Sequence, residues 1–319
     1  MSVSKSTRPG ATPGILARAE NVRCVYGGGE QDFTAVDGVS IELREGEILG
    51  LAGESGCGKT TLGNALAMIA TPPLYVLSGT LEIDGEWIDL STLTTADSAR
   101  HRPYRGRTVS MLPQGAMNSI SPTLRISNLV RDVMRAHDPR ITKDEALDLA
   151  RDRLKMLDMP VRVLDSYAHQ LSGGMKQRMI TVISTLQNPR LLIADEPTSA
   201  LDVSSQRMLV EMLLEMVEQG IMSGVVFVTH DLPVLSQVSD KLAIMNAGRI
   251  VESGPTRQLV EDAQHPYTRT LLASVLDPSH ETRERGIARR STASPSLTEP
   301  PALSAPAAST TNPEEVGTP

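Results

Sequence analysis

Two groups of residues in this 319-residue chain carry chemistry by type and spacing. The first runs Gly53-Glu54-Ser55-Gly56-Cys57-Gly58-Lys59-Thr60-Thr61. Its glycines let the backbone curl so that successive N–H groups point inward at an anion, and a helix opening near Lys59 adds its positive end. Lys59 can reach the β- and γ-phosphates of a nucleoside triphosphate, and the Thr60 hydroxyl can ligate Mg²⁺. The second group ends the apolar run Leu191-Leu192-Ile193-Ala194 with Asp195-Glu196. Side chains alternate along a strand, so the two acids leave its end in different directions and can do different jobs. Asp195 suits the Mg²⁺ shell, through water. Glu196 suits the water that attacks a γ-phosphate, as base or as positioning acceptor. Taken singly, a glycine-rich turn can hold nothing and a terminal acid pair can simply cap a helix.

Positioning such a loop takes a strand before it and a helix after it. Ile48–Leu51 is the strand; Leu62, Ala65, Leu66 and Ile69 mark the helix, which must stop by Pro72-Pro73. Upstream, alternation predicts strands over Ala17–Val25 and Val36–Leu43, with a loop at Gly27-Gly28-Gly29 between them. Asp84-Gly85 inside Gly79–Leu90 and Ala247-Gly248 between Leu242–Met245 and Arg249–Glu252 read as hairpin turns. Residues 91–106 are polar and receive no element, and Thr108–Leu112 is a short strand ending at Pro113-Gln114. Thr142 to Glu145 is a capping box opening a helix with Leu147, Ala150, Leu154 and Leu157 on one face, stopped by Pro160. Further helices are expected from Ser172 to Gln187, along Met208–Val217 up to Gly220, and over Thr270–Val275. Buried strands at Leu191–Ala194 and Val225–Thr229, with helices between, point to an α/β fold around a mostly parallel sheet.

Composition narrows the class. The hydrophobic fraction is 40% and the net charge −7, so no general attraction to nucleic acid or anionic membrane is implied. Two cysteines, Cys24 and Cys57, exclude a disulfide framework and fit a reducing, cytosolic compartment. No apolar run approaches the eighteen or so residues that span a bilayer. The opening MSVSKSTRPGATPG lacks the apolar centre of a signal peptide. Residues 1–15 read as a flexible leader, and 277–319, rich in Ser, Thr, Pro, Ala and Glu, as a disordered tail.

With these elements in place the chain resembles the ATP-binding cassette (ABC) ATPases. The resemblance spans roughly Ala17 to Val275 and rests on motif order: Tyr26, GESGCGKT, Gln114, LSGGM at Leu171–Met175, LLIADEPTSALD at Leu191–Asp202, then His230. It implies a phosphate-loop NTPase fold over residues 16–254, with a RecA-like core, an antiparallel β subdomain and a helical subdomain at about 115–187. It implies ATP and Mg²⁺ as ligands. Tyr26 would stack on adenine; Gly53, Glu54, Ser55, Gly56, Cys57, Gly58, Lys59, Thr60 and Thr61 would hold the phosphates. Thr60, Gln114 and Asp195 would serve the metal, and Glu196, His230 and Gln114 the hydrolytic step. Ser172, Gly173 and Gly174, at a helix start whose free N–H groups favour an anion, would face ATP held by a second subunit. Ser199–Asp202 would cross that dimer interface, with Asp202 also suited to capping the next helix.

Within the family, QGAMNSISP (Gln114–Pro122), GCGKTT, HQLSGGMKQR and HPYTRTLLASV (His265–Val275) resemble the oligopeptide/dipeptide/nickel importer ATPases. Residues 255–276 would then be that branch's C-terminal extension, which the catalytic core does not need. The branch implies a second, related but different ATPase chain, two membrane permeases docked near Gln114–Asn128, and indirectly an extracytoplasmic binding protein. The chain would sit on the cytoplasmic face of the membrane through the permeases. Three departures stand out. Pro113 replaces an aromatic residue, Gly115-Ala116 replaces an acidic-proline pair, and no cysteine follows Cys57, so no iron–sulfur cluster is expected. The rival from another class, a cassette ATPase acting on nucleic acid or ribosomes, is expected to carry two cassettes, a coiled-coil insertion or a zinc insertion, none of which the sequence contains.

Overall fold

The computed structural model describes residues 14–27, 32–93, 98–116 and 120–275. The tail, Leu276, the leader before Gly14, Gly28-Gly29 and Met117–Ser119 lie outside those residues. The chain opens with β1 (Ile15–Tyr26), β2 (Phe33–Arg44) and β3 (Ile48–Ala52), so Ile15, expected in the leader, belongs to the first strand. α1 (Lys59–Leu66), β4 (Leu74–Ile83), β5 (Glu86–Asp89), α2 (Ser98–His101) and β6 (Val109–Leu112) follow. Three helices come next: α3 (Ile126–His137), α4 (Lys143–Met156) and α5 (Gly173–Ser184). The chain continues through β7 (Leu191–Asp195), α6 (Val203–Glu218), β8 (Gly224–Val228), α7 (Leu232–Val238), β9 (Lys241–Asn246) and β10 (Arg249–Pro255). It closes with α8 (Thr256–Asp262) and α9 (Pro266–Val275).

Two sheets form. One is antiparallel in the order β2-β1-β4-β5. The other has the order β10-β9-β3-β8-β7-β6, parallel throughout except for β10 at its edge. Alternation along the parallel strands separates two cores. Ile48, Leu192, Ala194, Val225 and Phe227 face a core shared with α3 to α7. Leu49, Leu51, Leu191, Ile193, Val226 and Val228 face a second core shared with α1 and the antiparallel sheet. These strands are apolar on both faces because both faces are covered. The site residues stand where β3, β7 and β8 end, in parallel and side by side.

Local chemistry sets the element ends. Both expected hairpin turns have paired left-handed residues, Asp84 (φ 53) with Gly85 (φ 75) and Ala247 (φ 44) with Gly248 (φ 81), the geometry of the tight turn that matches strand twist. The Thr142–Glu145 capping box is formed in both directions. Several boundaries differ from expectation. α1 stops at Leu66, not near Ile69, because Met68 turns left-handed (φ 57) and Ile69 N–H reaches back to Asn64 O at 2.8 Å. α5 stops at Ser184, short of Gln187. There Thr185 Oγ1 bonds the carbonyls of Thr181 and Val182, and Arg153 takes the carbonyl of Thr185. The stretch 91–106 contains a 3₁₀ turn, Leu90–Thr92, capped by Asp89, and then α2. α9 starts at Pro266, four residues before Thr270, since proline suits a first helical turn.

Candidate active site

The strand β3 delivers the chain into the turn 53–58, which α1 receives. Gly53, Gly56 and Gly58 have φ of 152, 82 and 106, a region that side chains rarely enter. Two of them are also held by close neighbours. A Cβ on Gly53 would stand 2.1 Å from Met245 O, and one on Gly58 2.2 Å from Ala35 O. The helix that follows has no side-chain cap and no acid in its first turn, so its first N–H groups are open to an anion. Lys59 is buried, with Nζ donating to Gly53 O and Glu54 O at 2.8 Å each. Its ammonium therefore rests on the carbonyls of its own loop. Burial raises the Cys57 thiol above its ordinary value, against the opposing pull of Lys59. Glu54, Ser55 and Gly56 are exposed at the mouth.

Opposite the loop, β7 ends in the acid pair. Thr60 Oγ1 donates to Asp195 Oδ1 at 3.2 Å. Asp195 is fully buried, and among the described residues its Oδ2 has no hydrogen-bond partner. Burial pushes its carboxyl up, Thr60 and Lys59 pull it down, and the neighbouring Glu196 adds to the rise. Glu196 takes a left-handed backbone (φ 47), costly for a residue with a Cβ, and is held there by its N–H to Val228 O at 2.8 Å. That turn brings its carboxylate to the end of β8. Oε1 lies 2.8 Å from His230 Nδ1, and Oε2 accepts from Thr229 Oγ1 at 3.4 Å. Thr229 is a partner the sequence does not announce.

The other expected residues are placed as follows. Tyr26 ends β1 with its hydroxyl 3.1 Å from Thr61 Oγ1, which fixes the ring beside the first turn of α1. Gln114 lies on an exposed turn two residues past β6, level with the ends of β7. No hydrogen bond joins it to Thr60, Asp195 or Glu196 among the described residues. Ser172 caps α5 by accepting the N–H of Met175 at 3.3 Å. Gly173 faces open space, whereas a Cβ on Gly174 would meet Ser205 Oγ at 2.5 Å. Asp202 caps α6: it accepts from Ser205 N–H at 2.9 Å, Ser204 Oγ at 2.7 Å and Ser205 Oγ at 2.9 Å. Those bonds hold its carboxyl far below the usual range. Within this one chain no hydrogen bond among the described residues connects Ser172–Gly174 or Asp202 to the loop 53–61.

These features fit a Mg²⁺–nucleoside triphosphate. The loop is shaped for an anion, its helix end is uncapped, and a buried carboxylate oxygen without a partner stands beside a threonine hydroxyl. A buried carboxylate in that condition is relieved by a cation. Fold and site together define a phosphate-loop nucleotide-binding protein.

Comparisons carry this further. The ABC transporter family matches residues 36–199, and the oligopeptide/dipeptide transporter C-terminal region matches 251–302. The dipeptide transport ATP-binding protein DppD of Caldanaerobacter subterraneus subsp. tengcongensis is 36% identical over 263 residues, covering 82% of this chain and 79% of its own. The oligopeptide transport ATP-binding protein OppD of Bacillus subtilis (strain 168) is 36% identical over 279 residues, covering 86% and 75%. Among solved structures, the ATP-binding cassette MJ0796, as a dimer in a post-hydrolysis state bound to ADP and Pi, superimposes with a TM-score of 0.63 at 25% identity. That match covers 76% of this chain and 99% of the other. The chain belongs to the ABC transporter family, as an ATP-binding subunit of the oligopeptide/dipeptide type.

Proposed function

We propose that this chain is the ATP-hydrolysing subunit of a peptide importer, acting at the cytoplasmic face of the membrane through permease partners. The observation that carries the ATPase reading is the convergence of Thr60, Asp195, Glu196 and His230 at the ends of neighbouring strands beside an anion-shaped loop. In this reading the backbone N–H groups of the loop and Lys59 bind the phosphates, and Tyr26 takes the base. Mg²⁺, when bound, neutralises charge on the terminal phosphates; Thr60 and Asp195 would hold it, with Gln114 reaching toward it. Glu196 orients or deprotonates the attacking water, and His230 fixes the carboxylate that does so. Ser172–Gly174 of a partner ATPase chain closes over the phosphates from the other side. The two sites that one chain separates are thereby completed across two.

The peptide assignment rests on the likeness to the DppD and OppD proteins and on the matched C-terminal region. In this reading the permease docks at a cavity of about 560 Å³. It opens between β6, α3 and α5, beside the turn that carries Gln114, and its lining includes Met111, Pro113, Ala116, Leu129, Val133 and Ile183. Among the described residues no helix is long and apolar enough to cross a membrane. The test is co-expression with permease subunits of the oligopeptide/dipeptide type, followed by reconstitution with a peptide-binding protein of that type. Co-purification and peptide-stimulated ATP hydrolysis are expected; co-purification with RNA instead would overturn the transport reading. In the same system Lys59→Ala should lose nucleotide binding itself.

A further inference from the structure

The extension after β10 reaches back to the phosphate loop. Glu54 N–H donates to Tyr267 Oη at 3.1 Å, across 213 positions of sequence. Tyr267 is the second residue of α9, and its place is set by bonds from β10 to the turn before that helix. Glu252 on β10 accepts the N–H of Gln264 at 2.7 Å and of His265 at 3.1 Å, and His265 Nδ1 accepts the N–H of Tyr267 at 3.2 Å. Thr268 and Leu272 of α9 are buried, and the Tyr267 ring packs against the larger core. β10 pairs with β9, which pairs with β3, the strand that feeds the loop. Loop and tyrosine thus hang from one frame.

At Glu54 the peptide is gripped from both sides. Its carbonyl accepts from Lys59 Nζ at 2.8 Å and from Cys57 N–H at 3.3 Å; its N–H goes to Tyr267. The far end of the loop has ties of its own, Thr60 to Asp195 and Thr61 to Tyr26. Lys59 Nζ spends two of its three N–H donors on the carbonyls of Gly53 and Glu54, and the third, 3.9 Å from Cys57 Sγ, is left for a phosphate. As the ammonium shifts toward a phosphate its hold on the entry weakens, and Glu54 is then kept in place by Cys57 N–H on its carbonyl and by the tyrosine hydroxyl on its N–H. We propose that Tyr267 is a positioning residue for nucleotide binding, its hydroxyl holding the 53–55 entry in the curled form that receives phosphate. The proposal rests on Gly53–Thr61 being the phosphate site. It gives the extension a direct part in the ATPase cycle, where its sequence suggests only an appendage.

Tyr267→Phe in the full chain removes the hydroxyl and keeps the ring. Loss of one hydrogen bond of ordinary net strength should raise the Kd for Mg²⁺-ADP and Mg²⁺-ATP about three- to tenfold. Turnover at saturating ATP should stay within about twofold, because the bond lies outside the reacting centre. Exchange of the Glu54 amide, read by NMR or mass spectrometry without nucleotide, should quicken by a factor of similar size. A Phe variant with wild-type affinity, or a Glu54 amide that exchanges no faster in it, overturns the role of Tyr267 while wild type still binds nucleotide. Wild type that takes no nucleotide overturns the reading of the site itself. Tyr267→Leu separates packing from positioning: it should match Phe in affinity and alone lower the melting temperature. Leu and Phe variants equal in stability and both wild-type in affinity would also sink the proposal.

Discussion

His230 Nδ1 lies 2.8 Å from Glu196 Oε1, joining residues 34 positions apart at the ends of adjacent parallel strands. A carboxylate accepts, so the imidazole gives its Nδ1 hydrogen to Glu196 and turns Nε2 outward from a side chain that is 68% exposed. Glu196 itself is 9% exposed. A nearly buried acid and an exposed histidine therefore form one unit, with the exposed half available to whatever enters.

That unit predicts a non-additive pair. Glu196→Gln should slow ATP hydrolysis about 10²–10⁴-fold, the range of general-base help, while nucleotide affinity is kept. His230→Ala should slow it as well. Residues acting together lose little more when both are removed. The double variant should then fall within a few-fold of Glu196→Gln in single-turnover rate. Full activity of Glu196→Gln would remove the base assignment, and strictly multiplicative losses would separate the two residues.

Asp195 predicts a pH effect whose sign follows from burial. Its carboxyl is raised above the ordinary range, so the folded chain holds that proton more tightly than the unfolded one. Its contribution to stability is most favourable below the ordinary Asp value of about 4 and falls as pH climbs through the raised folded value. Asp195→Asn has no such slope. Metal-free wild type should lose melting temperature relative to Asp195→Asn between acid and neutral pH. Mg²⁺ with ADP should then restore wild type more than the variant. Parallel melting curves at all pH values would show that the buried oxygen needs no cation.

Arg153 predicts a stability effect away from the site. It is 7% exposed, with Nη1 on Thr185 O at 2.7 Å and on Thr185 Oγ1 at 3.1 Å, and Nη2 on Asn188 Oδ1. These bonds tie α4 to the end of α5 and close the carbonyls that the helix leaves open. Arg153→Met fills the volume but strands the acceptors, at a cost of about 2–4 kcal/mol. The melting temperature should drop by roughly 5–15 °C. Nucleotide affinity measured well below the transition should not change.

The strands and hairpins are legible because alternation and paired turn residues are local signals. The same holds for α4, whose capping box is written in four consecutive residues. α3 is harder to find. Ile126, Val130 and Met134 repeat at helical spacing, yet Arg125 before them makes no side-chain cap, so nothing marks the start. α7 does carry a marker, Asp231 capping Val234 with proline in the first turn, but it is only seven residues long. In the site, motif order nominates the residues. Their partners are another matter: Thr60 with Asp195, Tyr26 with Thr61, and Glu54 with Tyr267 are 135, 35 and 213 positions apart. Which strand lies beside which is decided by packing of the whole sheet, and no local pattern encodes it.

Gly173 and Gly174 separate what one chain needs from what two chains need. A Cβ on Gly174 would strike Ser205 Oγ at 2.5 Å and Ser205 Cβ at 2.9 Å, and Ser205 Oγ is already donating to Asp202. Gly174→Ala must therefore disturb the cap of α6 and should lower the melting temperature of the isolated chain. A Cβ on Gly173 meets nothing within 4 Å. Alanine there is a better helix former by about 1 kcal/mol in a helix interior, somewhat less at a first turn, so Gly173→Ala should leave stability equal or higher. If the open space over Gly173 is where a partner's nucleotide sits, that same variant should lose ATP-dependent dimerisation and hydrolysis while its own loop still binds nucleotide. Light scattering with Mg²⁺-ATP on a hydrolysis-slowed Glu196→Gln background reads the first, and steady-state turnover in the native background the second. A Gly173→Ala chain that dimerises and hydrolyses as wild type does would leave the open space over Gly173 without a ligand and the two-chain site without its second half.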